Sequence, residues 1–329
     1  MVSCRTLLYH FDMIIGQQSP KPASLDALLS SELMGRLDRL DILSRKIFAG
    51  KLPGERRSKK RGRSVEFDDF RPYVAGDDLR HIDWNVFARL DRLFIKLFRE
   101  EEDLSVVLVL DCSSSMETGD KAIFAHRLAM ALGYVALVNQ NRLSVARFDQ
   151  SGVVEQLRPM RGRRSLKRLA DFLLASLEIT PPVSGGASFG DSIRKISRGQ
   201  GGKGVLILMS DFLYEDGWTQ GLNDLAHAGG SGFDVSCVQI LSPEELDPAL
   251  AFSRGLAGDL RLIDAETGRP AEVTLTRSLV HNYEKRLTDL RERLARDCAA
   301  RAMRYLLTPS DTDVSTFMLD RLRKRSILG

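Results

Sequence analysis

From residue 105 onward, short unbroken apolar runs alternate with segments of helical period. Residues 106–110 and 205–209 are runs of strand length, and 235–241 reads as a strand again. Between the first two, Ile123, Phe124, Leu128, Ala131, Leu132, Val135 and Val138 recur at helical spacing. Residues 143–148 and 153–157 read as two strands joined by a turn at Gln150-Ser151-Gly152, and Leu166, Leu169, Phe172, Leu173 and Leu177 mark a second helix. A loop over 181–188 leads to a short helix around Ile193, and Leu222, Leu225 and Ala226 sit on another. Residues 259–263 and 272–275 read as an inserted hairpin, placed at about 258–276. Val280, Tyr283, Leu287, Leu290, Leu294 and Cys298 form a long helical stripe; 303–307 is a last strand, followed by a helix with Phe317, Met318 and Leu322. Such alternation predicts an α/β fold: a doubly wound, mostly parallel sheet flanked by helices.

The first hundred residues read differently. Ser24 is placed to cap a helix carrying Leu25, Leu28 and Leu29, and Leu33, Leu37, Leu40, Ile42, Leu43 and Ile47 continue at helical spacing until Leu52-Pro53-Gly54. Residues 65–103 are dense in unlike charges and aromatics, and Leu93, Ile95 and Leu97 alternate with Phe94, Lys96 and Phe98 as in a strand. The expected division is therefore a linker and helical segment over 1–60, a charged and aromatic block over 61–103 packing on the core, and the α/β domain over 104–329.

Composition narrows the class. Of 329 residues 43% are hydrophobic and 28% charged, a globular balance that excludes a disordered or collagen-like chain. With 48 basic against 44 acidic residues the net charge is +4, too small for a general polyanion trap. No run approaches the length of a membrane span, and His10 and Asp12 interrupt the mildly apolar start, which argues against a signal peptide; Met13 is a second possible start. Four cysteines lie far apart with no CxxC spacing, the pattern of a reduced, cytoplasmic chain without a disulfide framework or zinc site.

The chemistry gathers after the first sheet strand. Asp111-Cys112-Ser113-Ser114-Ser115 is a D-x-S-x-S loop at a carboxyl strand end, where doubly wound sheets bind ligands. One carboxylate and two hydroxyls are hard donors suited to a Mg2+ that keeps several waters. Ser210-Asp211 brings a second carboxylate to the equivalent place on a later strand. The plainer reading is that Asp111 and the serines cap the following helix. Cys112 reads as core-facing, since no histidine lies near it in sequence.

These motifs and the strand–helix order resemble a von Willebrand factor A domain with a metal-ion-dependent adhesion site. The preceding block is more specific: Glu66-Phe67-Asp68-Asp69-Phe70-Arg71-Pro72-Tyr73, Gly76-Asp77-Asp78-Leu79-Arg80-His81-Ile82-Asp83-Trp84 and Ala88-Arg89. It closely resembles the bacterial and archaeal family known as domain of unknown function 58, as does 262–268, and the likeness covers about residues 35–325. That resemblance implies a von Willebrand A-like fold and a protein-binding role beside a MoxR-type AAA+ ATPase, in assembly or maturation of other proteins, with no agreed biochemical activity. It implies Asp111, Ser113, Ser115 and Asp211 as ligands of Mg2+ or Mn2+, whose open coordination would accept an acidic group of a protein partner. Adhesion sites of this type take a further ligand, a threonine, from the loop after the second helix. Here that loop reads Gly185-Gly186-Ala187-Ser188, so Ala187 weakens the site unless Ser188 or Ser184 substitutes. Arg71, Asp77, Asp78, Arg80, Asp83, Trp84 and Arg89 form either a second functional surface or an ion-pair and aromatic clasp, with the clasp favoured because closely spaced opposite charges satisfy one another.

Rival classes fit less well. Phosphatases of the haloacid dehalogenase type place a second acid where Ser113 stands, which removes the general acid/base of a metal-dependent hydrolase. Gly202-Lys203-Gly204 precedes a strand and lacks the Ser/Thr of a phosphate-binding loop, and no G-x-S-x-G elbow exists. The sequence therefore reads as non-enzymatic. Basic clusters over 56–63, 158–168 and 321–325 leave nucleic-acid binding as the alternative, although such runs are more often solvated faces.

Overall fold

The computed structural model describes residues 19–45, 66–74, 77–79, 82–99, 104–152, 154–180, 188–198, 203–214, 217–230, 232–247, 259–263, 270–274 and 277–329. The chain divides into two units, Lys51–Asp103 and the remainder.

The N-terminal helical stretch is shorter and more broken than its spacing predicts. Ser24 accepts the Ala27 N–H and opens α1, Leu25–Leu28; Ser30 accepts the Leu33 N–H and opens α2, Ser31–Leu37. Two capping serines so close together divide one apolar stripe into two helices. Beyond α2 the chain turns extended, and Ile42 bridges Leu328 in an antiparallel pair flanked by reciprocal bonds between Asp41 and Gly329. Leu28, Leu29, Leu37, Leu40 and Ile42 are buried in the main core, so the described part of 1–60 belongs to the α/β unit and is not a segment apart from it.

In the smaller unit, β1 (Glu66–Pro72) and β2 (Phe94–Arg99) pair antiparallel with a register shift between Phe67 and Asp69. Between them lies α3, Trp84–Leu90, whose cap is Asp83: one carboxylate oxygen accepts the N–H groups of Asn85 and Val86 at 2.8 and 3.1 Å.

The larger unit is built on six strands. β3 (Ser105–Asp111) leads through a 3-10 stretch, Ser114–Asp120, into α4 (Lys121–Val138). β4 (Arg142–Phe148) and β5 (Val154–Met160) form an antiparallel hairpin, followed by α5 (Leu166–Glu178) and α6 (Phe189–Arg198). Then come β6 (Gly204–Ser210), α7 (Thr219–Gly230), β7 (Phe233–Leu241) and the single turn α8 (Pro243–Leu246). An inserted antiparallel hairpin, β8 (Asp259–Ile263) and β9 (Pro270–Thr274), precedes α9 (Arg277–Ala299) and β10 (Arg304–Pro309). The short α10 (Val314–Thr316) and a π turn over Phe317–Leu322 end the core.

The sheet order is β10-β7-β6-β3-β4-β5, with every pairing parallel except β4 with β5. Counted along the chain this is the doubly wound order 3-2-1-4-5-6 read from the β5 edge, so the topological switch point falls between β3 and β6. Both faces are covered. On β3, Val106, Leu108 and Leu110 point into one core, and Val107 and Val109 into the other. β6 alternates in the same way, which is why β3 and β6 read as unbroken apolar runs, while β7 divides its apolar residues between the two cores and also buries Asp234, Ser236 and Gln239. Among the described residues one helical stretch, Ser114–Val138, is long and apolar enough to cross a membrane, but 83% of its most apolar window is buried inside this core.

Candidate cation and partner site at the switch point

The switch point brings the two predicted loops together. Asp111 ends β3 and Ser210-Asp211 ends β6, on adjacent parallel strands. Asp111, Ser113, Ser115, Ser210 and Asp211 are all buried. The Asp111 carboxylate takes three donors: the Ser113 N–H at 2.9 Å on one oxygen, and the hydroxyls of Ser210 and Tyr214, both at 2.6 Å, on the other. The first of these is a local turn within the loop, while Ser113, the N-cap of the stretch that follows, makes no side-chain capping bond; the other two come from the second loop. Tyr214 is carried there by a reversal at Phe212, whose φ is 59°, and it stacks on Phe189 with ring centres 4.3 Å apart.

All three donors to Asp111 are neutral. Burial, with the nearby Asp211 charge as the second cause, pushes the Asp111 carboxyl up to about 6 despite the hydrogen bonds that oppose the shift. The Tyr214 phenol is raised well above its ordinary value, first by burial and then by the Asp111 charge. A positive charge here would stabilise ionised Asp111.

The Ser113 and Ser115 hydroxyls hydrogen-bond each other, with their oxygens 3.1 Å apart. Adjacent oxygens on a Mg2+ octahedron with bonds of about 2.1 Å lie about 3.0 Å apart, so this pair already has the spacing of neighbouring ligands. Among the described residues no three His, Cys, Asp or Glu side chains form a metal cluster, so a cation at this edge would depend on the serine hydroxyls. Asp111, Ser113 and Ser115 therefore fit a hard divalent ion.

Asp211 is differently committed. Its carboxylate accepts the Leu213 N–H at 3.1 Å and the Lys121 ammonium at 3.1 Å, and the same ammonium reaches Glu245 at 2.5 Å. The Asp211 carbonyl takes the Gln239 amide at 2.8 Å, which Tyr305 holds in turn from its other side. Lys121, Glu245, Tyr214 and Gln239 escape a motif search, yet two of them leave a trace in the sequence. A lysine at the first position of an apolar helix sits at the positive end of the helix dipole and calls for a carboxylate. Ser242-Pro243-Glu244-Glu245 spells a capping box, and both of its bonds form.

Ser188 is a helix cap here. Its hydroxyl accepts the Asp191 N–H at 3.1 Å and bonds the Asp191 carboxylate at 2.9 Å, which ties it to α6 instead of to Asp111. Ser184 and Ala187 lie outside the described residues, as do Arg80 and the basic run 56–63. In the smaller unit Arg71 grips Asp77 through two nitrogens at 2.7 and 2.6 Å, Asp83 caps α3, and Trp84, Asp78 and Arg89 are exposed. The basic residues of 158–168 and 321–325 are exposed as well; Arg163 pairs with Asp38 and Lys167 with Asp171.

Folding does bring a histidine toward Cys112. The thiol lies 3.5 Å from the Ser176 hydroxyl, and His126 Nε2 lies 3.0 Å from that hydroxyl on the other side. Burial pushes the thiol up to about 11 and the imidazole down to about 4, so both are neutral at pH 7 and the chain of three is a packed polar contact. The depressed His126 value has a stability consequence. Protons bind the unfolded histidine near 6.5 and the folded one only near 4, so stability held above 6.5 is lost as the pH falls through that window. Between pH 7 and 4.5 the loss from this group is about 2 kcal/mol. In urea titrations at the two pH values, His126→Gln should show a smaller acid loss than the parent by that amount; equal losses would contradict it.

Residues 69–293 match the profile of the family described as protein of unknown function DUF58. The uncharacterized proteins Mb1516 of Mycobacterium bovis and Rv1480 of Mycobacterium tuberculosis are 25% identical over 305 residues, spanning 89% of this chain and 90% of theirs. Among solved structures, the conserved hypothetical protein BatB of Bacteroides thetaiotaomicron aligns with a TM-score of 0.38 at 16% identity, over 67% of this chain and 98% of its own. A von Willebrand factor type A protein of Catenulispora acidiphila aligns with a TM-score of 0.33 at 17% identity, over 43% and 34%.

Proposed function

This chain belongs to the DUF58 family, and on that premise we propose that it is a non-enzymatic, cation-dependent protein-binding module. The observation that carries the reading is the pair of buried serine hydroxyls at ligand spacing beside a buried carboxylate whose own donors are all neutral. Asp111, Ser113 and Ser115 would hold Mg2+ or Mn2+, with Asp211 behind them. Bound there, the ion supplies a positive charge with coordination positions left for an Asp or Glu of a partner. The family resemblance makes a MoxR-type AAA+ ATPase the first partner to try, and the buried free thiols of Cys237 and Cys298 suit a reducing compartment.

Isothermal titration of Mg2+ and Mn2+ into EDTA-stripped protein tests the reading. The parent is expected to bind one ion saturably, Asp111→Ala to lose binding, and Ser113→Ala and Ser115→Ala each to weaken it at least tenfold. Binding that survives Asp111→Ala would place the ion elsewhere.

A further inference from the structure

Lys121 is the one wholly buried lysine among the described residues, and it stands where a helix disfavours a cation. Three loops meet on its ammonium. It is delivered by the connection from β3 to α4, accepted by Asp211 at the end of β6, and accepted again by Glu245 after β7. Glu245 is not free to wander. Its second oxygen takes the Ser242 N–H at 2.5 Å, while its own N–H donates to the Ser242 hydroxyl at 3.2 Å. The capping box thus fixes Glu245, Glu245 fixes the ammonium, and the ammonium sits against Asp211, whose charge is near Asp111. The shared burial of Asp111 and Asp211 is itself reason for a cation, and for Asp211 the chain supplies its own.

We propose that Lys121 is a resident counter-cation that competes with an incoming divalent ion for Asp211 and so sets the affinity of the switch-point site. This rests on reading that edge as a cation site and adds its regulation. A monovalent and a divalent charge sharing one buried carboxylate pair repel strongly in a low-dielectric setting. Full coordination then requires the ammonium to yield Asp211 and keep Glu245. A partner that shifts the Ser242–Leu246 turn would move that balance.

The test compares Mg2+ affinity by isothermal titration in four proteins: the parent, Lys121→Met, Glu245→Gln and the double variant. The double variant removes both ends of an ion pair, so it leaves one carboxylate where the single lysine change leaves two, and it keeps the comparison usable if the single change fails to fold. Circular dichroism checks the fold of each. Removing Lys121 should tighten Mg2+ binding at least tenfold, in the parent background and again in the Glu245→Gln background. Unchanged affinity would overturn the competition while leaving the cation site in place. Weaker binding without the lysine would overturn it too, and would make Lys121 an organiser of the site. If no form binds Mg2+, the cation reading falls and the competition with it.

Discussion

Lys121→Ala is expected to lower the unfolding free energy by about 3–5 kcal/mol, the cost of removing one partner from a buried ionic cluster. The size follows from what remains. Asp211 and Glu245 are both buried, and the lysine's departure leaves two like charges facing each other across the space its side chain filled. Asp211 would retain the Leu213 N–H, and Glu245 its capping bonds, and these donors are neutral. Urea unfolding at pH 7 measures the loss. Lys121→Met with Glu245→Gln should be markedly less damaging, because removing both members spares the uncompensated charge. A loss under about 1 kcal/mol for the alanine variant would show that the two carboxylates reach water once the lysine is gone.

The second large effect concerns the C-terminal turn. Phe317→Ala should cost about 3–5 kcal/mol, as expected for truncating a fully buried aromatic ring. Phe317 is wholly inaccessible, and its ring meets Phe124 of α4 edge to face at 5.8 Å, a geometry that adds to simple burial. Its position gives the loss further meaning. The turn over Phe317–Leu322 runs on to Leu328, which bridges Ile42, so the stretch after α2 and the C-terminal residues share one core. The same urea experiment reads the effect. A cost under 1 kcal/mol would mean that the terminal turn packs loosely and that the bridge to Ile42 does not depend on it.

How far the sequence carried the fold depends on which face of each element is buried. β3 and β6 are covered on both sides, so the chain spells them as unbroken apolar runs, and the alternation of strands with helices gives the doubly wound sheet. The antiparallel edge was legible as two strands and a turn, because Gly152 takes the left-handed φ of 74° that its loop needs. The N-terminal stripe misled for a physical reason: Leu25 to Ile42 carries helical spacing, yet Ser30 caps a new helix within it and Ile42 makes a single antiparallel bridge to Leu328. At the site, Asp111 and Asp211 were readable because each follows a buried strand at the switch point. Tyr214 was not, since its reach to Asp111 depends on a backbone reversal at Phe212 that no pattern announces. Lys121 left only the trace of a cation opening an apolar helix, which does not say which carboxylates it meets. A serine before a helix reads equally as a cap and as a ligand, and here the Ser188 hydroxyl accepts the Asp191 N–H.

The central claim is that a divalent ion binds at the switch point, on Asp111, Ser113 and Ser115, and not on some other acidic surface. Paramagnetic broadening by Mn2+ in a two-dimensional amide spectrum of the EDTA-stripped protein tests it most directly, because it reports where the ion sits. At substoichiometric Mn2+ the account predicts selective loss of the amide signals of residues 111–116 and 210–214, reversed by excess Mg2+ and absent in Asp111→Ala. Broadening that spares those two loops, or that persists unchanged in Asp111→Ala, would contradict it.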